Sequence, residues 1–176
     1  MTAAEKTFDI YTLGPKGTNC EAAAHFWLER QGRSGKVFLF PTLEQTAEEM
    51  PMREGVALLG CVVYPKLHHL VFRNLGRLAL VDCFIMKTLN MVLASREPGK
   101  PRTIATHPAP ESLIPYRDAE ARYSNSNAQA ALDCVNGLTE GCITTLSCAK
   151  EAGLLILKDF GRIEMGFTIH APVIAA

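Results

Sequence analysis

A strand, a glycine turn and a helix start follow one another between Phe8 and Arg30, and they limit the possible folds more than any other stretch. Phe8-Asp9-Ile10-Tyr11-Thr12-Leu13 alternates apolar and polar residues with β-branched members, the pattern of a strand. From Glu21 to Arg30, Ala22, Ala23, Phe26 and Trp27 recur at the spacing of a helix face. Between them Gly14-Pro15-Lys16-Gly17-Thr18-Asn19 makes a tight turn, with Thr18 suited to the N-cap and Glu21 to the capping box. A strand feeding a helix in this way sets free backbone N–H groups and a partial positive charge at the strand's C-terminal edge, an anion site. An ordinary capped βα turn would use the same residues. The P-loop spacing GxxxxGK(S/T) is absent because Lys16 precedes the second glycine, and GxGxxG is absent too.

The same alternation continues downstream. Lys36 to Phe40 reads as a second strand, and Pro41-Thr42-Leu43-Glu44-Gln45 opens a helix capped by Thr42 that stops near Met50-Pro51. Val56 to Val63 is apolar throughout, as a parallel strand covered on both faces is. The chain therefore begins β-α-β-α-β. Tyr64 to His69 reads as a loop or short helix. Leu78 to Ile85 and Leu89 to Ser95 read as long crossover strands leaving the first sheet, and Arg96-Glu97-Pro98-Gly99-Lys100-Pro101 is a break.

A second series starts at Thr103-Ile104-Ala105-Thr106. A helix is predicted from His107 through Ile114 with Pro108 in its first turn. A strand at Ala121 to Ser124 and a helix from Ala128 to Val135 ending at Asn136-Gly137 follow. Gly141 to Thr145 is a strand, Ser147 to Ala152 a short helix, and Leu154 to Leu157 a strand. Gly166 to His170 is one more strand, able to return to the first series. Two βα lobes joined by crossover strands is the layout of a two-lobed, periplasmic-binding-protein-like (type II) α/β fold with its ligand cleft between lobes. The expected lobes are about 1–85 with about 163–176, and about 86–162.

Composition narrows the function classes. Lysine plus arginine and aspartate plus glutamate stand at 18 each, so the basic excess of a nucleic-acid binder is missing. No apolar run is long enough to span a membrane and Met1 to Lys6 has no signal-peptide core, so a cytoplasmic location is expected. The 6 cysteines contain no CxxC pair and read as free thiols, with Cys20 at the helix start the one to weigh for reactivity. No HxH, HExxH or paired-carboxylate pattern points to a metal, and no cofactor is expected.

Three loops are expected at the cleft: Gly14 to Asn19 from the first lobe, and Thr106-His107-Pro108 and Ser124 to Asn127 from the second. All three are read as preceding helices and so as offering backbone donors. Gly14, Gly17 and Asn19 shape the first loop, Lys16 adds charge, and Thr18, Thr106, Ser126 and Asn127 add side-chain hydrogen bonds. Helix capping is the plain alternative for each polar residue, and for Ser126 alone it outweighs the functional reading. A ligand with two carboxylates suits the set. Among histidines, His107 at a strand end is the first candidate for chemistry. His68 and His69 follow Lys66 just past the third strand, whereas His25 reads as structural.

Leu13-Gly14-Pro15-Lys16-Gly17-Thr18 followed by Glu21-Ala22-Ala23-Ala24 resembles the opening motif of prephenate dehydratases, LGPxGTxSExAA. Thr106-His107-Pro108 resembles their SHPQ-type segment, and Ser124 to Ala131 their later Ser/Thr-rich segment before Ala-Ala. The order fits across nearly the whole chain. Two departures matter: the family's Thr-Arg-Phe motif is replaced by Gly166-Phe167-Thr168-Ile169-His170, and its Glu-Asn-Ser segment by Cys61-Val62-Val63-Tyr64-Pro65-Lys66. A regulatory domain would not fit after residue 176. A closer match is to the non-aromatising prephenate decarboxylases of antibiotic pathways, the bacilysin type. They share Thr-Leu-Gly-Pro-x-Gly-Thr, His-Pro-x-Pro-x-x-Leu-Ile with a tyrosine soon after (His107 to Ile114, then Tyr116), Asn-Ser-x-x-Gln-Ala-Ala, and Ile-x-Met near the end (Ile163-Glu164-Met165).

That resemblance implies a single catalytic domain over 1–176 acting on prephenate, a small-molecule substrate. It implies loss of carbon dioxide with the ring hydroxyl kept, giving a dihydro-4-hydroxyphenylpyruvate, without cofactor, nucleic acid or membrane. A homodimer is an assembly the family permits and the sequence does not fix. His107, His68, Lys66 and Tyr116 are the catalytic candidates. Two alternatives remain open: a dehydratase making phenylpyruvate with Thr168 in place of the lost threonine, and a non-catalytic module that binds an aromatic precursor.

Overall fold

A computed structural model describes residues 7–174. In chain order the elements begin β1 (Asp9–Leu13), α1 (Asn19–Arg30), β2 (Val37–Phe40), α2 (Leu43–Glu49), β3 (Val56–Cys61), α3 (Leu67–Arg73) and β4 (Leu78–Lys87). They continue with β5 (Met91–Ser95), β6 (Thr103–Thr106), a 3-10 turn (Glu111–Leu113), β7 (Glu120–Tyr123), α4 (Asn127–Val135), β8 (Gly141–Thr145), α5 (Leu146–Glu151), β9 (Leu155–Gly161) and β10 (Glu164–Pro172). The described residues form two compact units. One holds the chain through Gly14, Asn19–Met86 and the segment from Met165 onward; the other holds Pro15–Thr18 and Lys87–Glu164.

The sheet of the first unit runs β2-β1-β3-β10-β4. β1 pairs parallel with β2 and β3, while β10 lies antiparallel to β3 with Ile169 opposite Leu59. Every residue of β3 is buried, which is why its sequence carries no alternation. Trp27 of α1 packs beside Phe8, ring centres 5.3 Å apart, and its indole N–H donates to Asp82 at 2.7 Å. Thr42 caps α2 by accepting from the Gln45 amide at 3.1 Å.

The second sheet runs β7-β6-β8-β5-β9. Its fourth strand β5 is antiparallel to both neighbours, and β6 is parallel to β7 and β8. The alternation of β5 divides its two faces. Val92 and Ala94 join Ala105, Ala130, Ala131, Cys134 and Cys142 under the helices, while Met91 and Leu93 join Ile104 and Ile143 on the other face. The helix-side core is nearly all alanine and cysteine, which lets α4 lie close to the sheet.

Four readings change. β3 ends at Cys61, short of the expected Val63, although the loop or short helix read after it is present as a turn and α3. β4 does not leave the first sheet but stays as its edge strand beside β10. The helix predicted over His107 to Ile114 is only the 3-10 turn Glu111–Leu113. Pro110 biases Ala109 away from helical geometry and Pro115 closes the other end, so no full turn can propagate. The loop Pro15–Thr18, expected with the first lobe, groups with the second unit.

Phe167 is fully buried in β10, stacked on Phe84 at 5.6 Å. Phe167→Ala should cost about 3–5 kcal/mol of stability. The urea midpoint should fall with the slope unchanged; an unaltered midpoint would mean that β10 contributes little to this core.

Candidate active site

β6, β7 and β8 are parallel, so their C-terminal ends lie at one edge of the second sheet, and their connecting loops leave from there. β5 runs the other way and brings Asn90 and Met91 to the same edge, with Met91 opposite Thr145 and the Leu146 amide donating to the Asn90 carbonyl at 2.7 Å. The Ser124 amide donates to the Thr106 carbonyl at 2.9 Å, which ties the loop before α4 to the end of β6. Ser126 then caps α4, its hydroxyl accepting from the Gln129 amide at 3.0 Å.

Asn127 is the first residue of α4, where the helix dipole is positive. Its carbonyl accepts from the Thr144 hydroxyl, and its Nδ2 donates to Met91 Sδ at 3.8 Å. Its Oδ1 is buried without a hydrogen-bond partner. A buried unpaired amide oxygen costs stability, and such costs are carried most often where a ligand makes use of the group.

Within the second unit, Pro15–Thr18 meets α5. Cys148 Sγ donates to the Gly17 carbonyl at 3.6 Å. Gly17 has φ +84°, and a Cβ there would stand 2.9 Å from that sulfur. Thr18 is buried directly before α1, Asn19 opens that helix, and Lys16 is exposed at the turn. Gly14 anchors the loop's start by donating to the Phe40 carbonyl at 2.7 Å.

Thr106 is fully buried and its hydroxyl donates to the carbonyl of His107 at 2.9 Å. His107 turns its Nδ1 back to accept from the Ala109 amide at 3.2 Å. Burial pushes this imidazole below the usual 6.5. With Nδ1 acting as an acceptor, the neutral ring carries its proton on Nε2, and the group can donate a hydrogen bond without being a cation. No full helix follows it, only the 3-10 turn.

The other candidates are placed elsewhere. Lys66, His68 and His69 are exposed at the start of α3 in the first unit, the two imidazoles 4.1 Å apart. The Tyr116 ring lies beneath the Lys100 ammonium at 5.1 Å. Lys100 precedes β6 and Glu120 beyond Tyr116 donates to the Arg102 carbonyl, so Tyr116 sits toward the end of the sheet opposite His107. Thr168 belongs to the first unit, its hydroxyl donating to the Gly60 carbonyl at 3.3 Å and meeting His170 Nε2 at 3.0 Å.

Several supporting residues have no signal in the sequence. Asp133 accepts from the Ser124 hydroxyl and, at 2.9 Å, from Gln129 Nε2, bracing the loop that leads into α4. Met91, Thr144 and Cys148 touch site residues only because elements far apart in sequence are neighbours. Among the described residues no group of three or more His, Cys, Asp or Glu is arranged to hold a metal, and no helix is long and apolar enough to cross a membrane.

No protein-family model matches the chain. Proteins named prephenate decarboxylase from Planktothrix agardhii and Bacillus subtilis are 27% and 28% identical to it, each over 93% of this chain and over 88% and 86% of their own. The prephenate dehydratase of Arthrobacter aurescens, solved with L-Phe, superposes with a TM-score of 0.67 at 20% identity over 95% of this chain and 61% of that one. The periplasmic VFT2 domain of Bordetella pertussis BvgS superposes with a TM-score of 0.57 at 15% identity, covering 96% and 81%. The fold is thus the α/β type shared by prephenate dehydratases and periplasmic binding domains, and the chain is related in sequence to prephenate decarboxylases.

Gly17→Ala forces a side chain into a left-handed backbone and against Cys148, and should cost about 1–2 kcal/mol. Cys148→Ala relieves only the clash, so urea unfolding of the double variant should still show the backbone part. Full recovery would refute the conformational reading. The histidines set a pH response. Burial lowers both His107 and His170, so below pH 6.5 the unfolded chain binds protons that the folded chain refuses. Stability therefore falls as pH drops through that window and levels off once the folded imidazoles also titrate. His107→Gln should flatten this slope between about pH 7 and pH 5 in urea titrations; an unchanged slope would place the titration elsewhere.

Proposed function

We propose that this protein decarboxylates prephenate without aromatising it, as a cofactor-independent carbon–carbon lyase of the cytoplasm serving an antibiotic-type secondary pathway. The observation that carries the reading is the kinship to prephenate decarboxylases across 93% of the chain. The arrangement at the edge of the second sheet suits such a substrate. One carboxylate is assigned to the N-terminus of α4, where the backbone donors following Ser126 and the Asn127 side chain are available. The other is assigned to the Pro15–Thr18 loop with Lys16, whose backbone conformation Gly17 permits. Thr106 holds the loop that presents His107.

The chemistry then depends on which proton is offered. Breaking the bond to the departing carboxylate leaves an electron pair that shifts through a ring double bond, and a ring carbon takes up a proton. If the ring hydroxyl were protonated instead, water would leave and phenylpyruvate would form. A neutral His107 donates a hydrogen bond to the substrate yet is a weak acid toward its hydroxyl, which favours retention. A carboxylate leaving from an apolar environment is helped by poorer solvation of its charge.

One assay separates the outcomes: incubation with prephenate and NMR of the product. A product that keeps its hydroxyl and ring sp³ carbons supports the decarboxylase, phenylpyruvate means a dehydratase, and intact prephenate means a binding module or a different substrate. Asn127→Leu tests the site within that assay. It removes an unpaired buried oxygen, so thermal stability should hold or rise. Prephenate affinity should drop by about 1–3 kcal/mol, roughly 5- to 150-fold. Unchanged affinity would remove Asn127 from the site.

A further inference from the structure

Three sulfurs gather at one end of the first unit's sheet, and the proposed reaction uses none of them. Cys61 closes β3, Cys20 lies in the first turn of α1, and Met165 stands near the start of the antiparallel β10. Cys61 Sγ is 3.1 Å from Met165 Sδ. The Cys20 and Cys61 thiols share a hydrogen bond, and Cys20 also meets the Thr12 hydroxyl. We propose that Cys20, Cys61 and Met165 form a binding site for a soft monovalent cation of the Cu(I) type.

The donor set selects the ion. Two thiols and a thioether are soft ligands, which favour Cu(I) and its redox-inert analogue Ag(I) over Mg(II), Ca(II) or Mn(II). Zn(II) is served poorly by three sulfurs of which one is a neutral thioether, since structural zinc takes four Cys or His donors. Each thiol that ligates releases its proton to solvent, so uptake of the ion is coupled to pH. The Met165 side chain is unbranched and can open the gap for the ion.

The second thiol pair in the protein is the natural control. Cys134 and Cys142 also share a hydrogen bond, but both are 0% exposed and the Arg96 guanidinium stands by Cys134. A cation is repelled there. At the proposed site Cys61 is 7% exposed and Met165 only half-buried, which gives the ion an approach.

The test is anaerobic competition for Cu(I) against a chromophoric chelator, with the thiols reduced. The wild-type protein should take up one ion per chain, Cys61→Ser and Cys20→Ser should lose it, and Met165→Leu should bind more weakly. Cys134→Ser with Cys142→Ser should retain it. X-ray absorption of the copper-loaded wild type should show a first shell of sulfur alone, a result that stands even if a serine variant does not fold. Uptake surviving in the Cys20→Ser, Cys61→Ser double variant, nitrogen or oxygen in the first shell, or Zn(II) held as tightly as Cu(I) would each overturn the site. None of these readouts depends on prephenate turnover.

Discussion

Each of the two sheets depends on an antiparallel strand in its fourth place. β10 lies between β3 and β4, and β5 lies between β8 and β9. The first three strands of each sheet are parallel neighbours that a βα series builds from local sequence. The edge strands β4 and β9 pair into their sheets only through the antiparallel member. In the first sheet that member comes from near the end of the chain, with Phe167 and Ile169 fully buried. The first unit is therefore discontinuous, and its core closes only when residues far apart in sequence meet, the kind of contact whose loop-closure cost delays it in folding.

The same topology fixes where chemistry can occur. Parallel strands send their C-terminal ends and outgoing loops to one edge, and the reversed β5 adds its beginning, so Thr106, Ser126, Asn127 and Met91 share a border although they span much of the second unit. The site is then set by how polar groups are spent. Ser126 Oγ is consumed by the Gln129 amide, Thr144 by the Asn127 carbonyl, and Asp133 by Ser124 and Gln129. What is left over is the amide oxygen of Asn127. A fully satisfied edge would be more stable and would have less to offer a ligand.

Local signals were readable in the sequence wherever the reason was local. Thr42 with Gln45, Ser126 with Gln129 and the apolar run of β3 state their roles within a few residues. The second-unit strands Thr103–Thr106 and Gly141–Thr145 could be read from their boundaries. The helix after His107 failed because one favourable proline outweighed a second, Pro110, whose effect is on the residue before it. The thiol pairs and the contact of Asn127 with Met91 were invisible for another reason. They are made by strand order, which periodicity does not encode. The grouping of Pro15–Thr18 with the second unit is of this kind too, since nothing in the loop's own residues names Cys148 as its neighbour.

The segment that stands where the Thr-Arg-Phe motif is expected spends its polar groups on the frame of the first sheet. Here β10 places Thr168 opposite Gly60, and the hydroxyl donates to the Gly60 carbonyl. Having given its proton away, the oxygen can only accept from His170 Nε2. Burial lowers the His170 imidazole, so the ring donates as a neutral group and no acidic proton is stored in the pair. Gly60 makes the arrangement possible, because a Cβ there would stand 3.1 Å from the Thr168 oxygen and 2.8 Å from Leu67. The threonine proton is spent on the backbone and its lone pair on a neutral histidine. In this strand the residue joins β10 to β3.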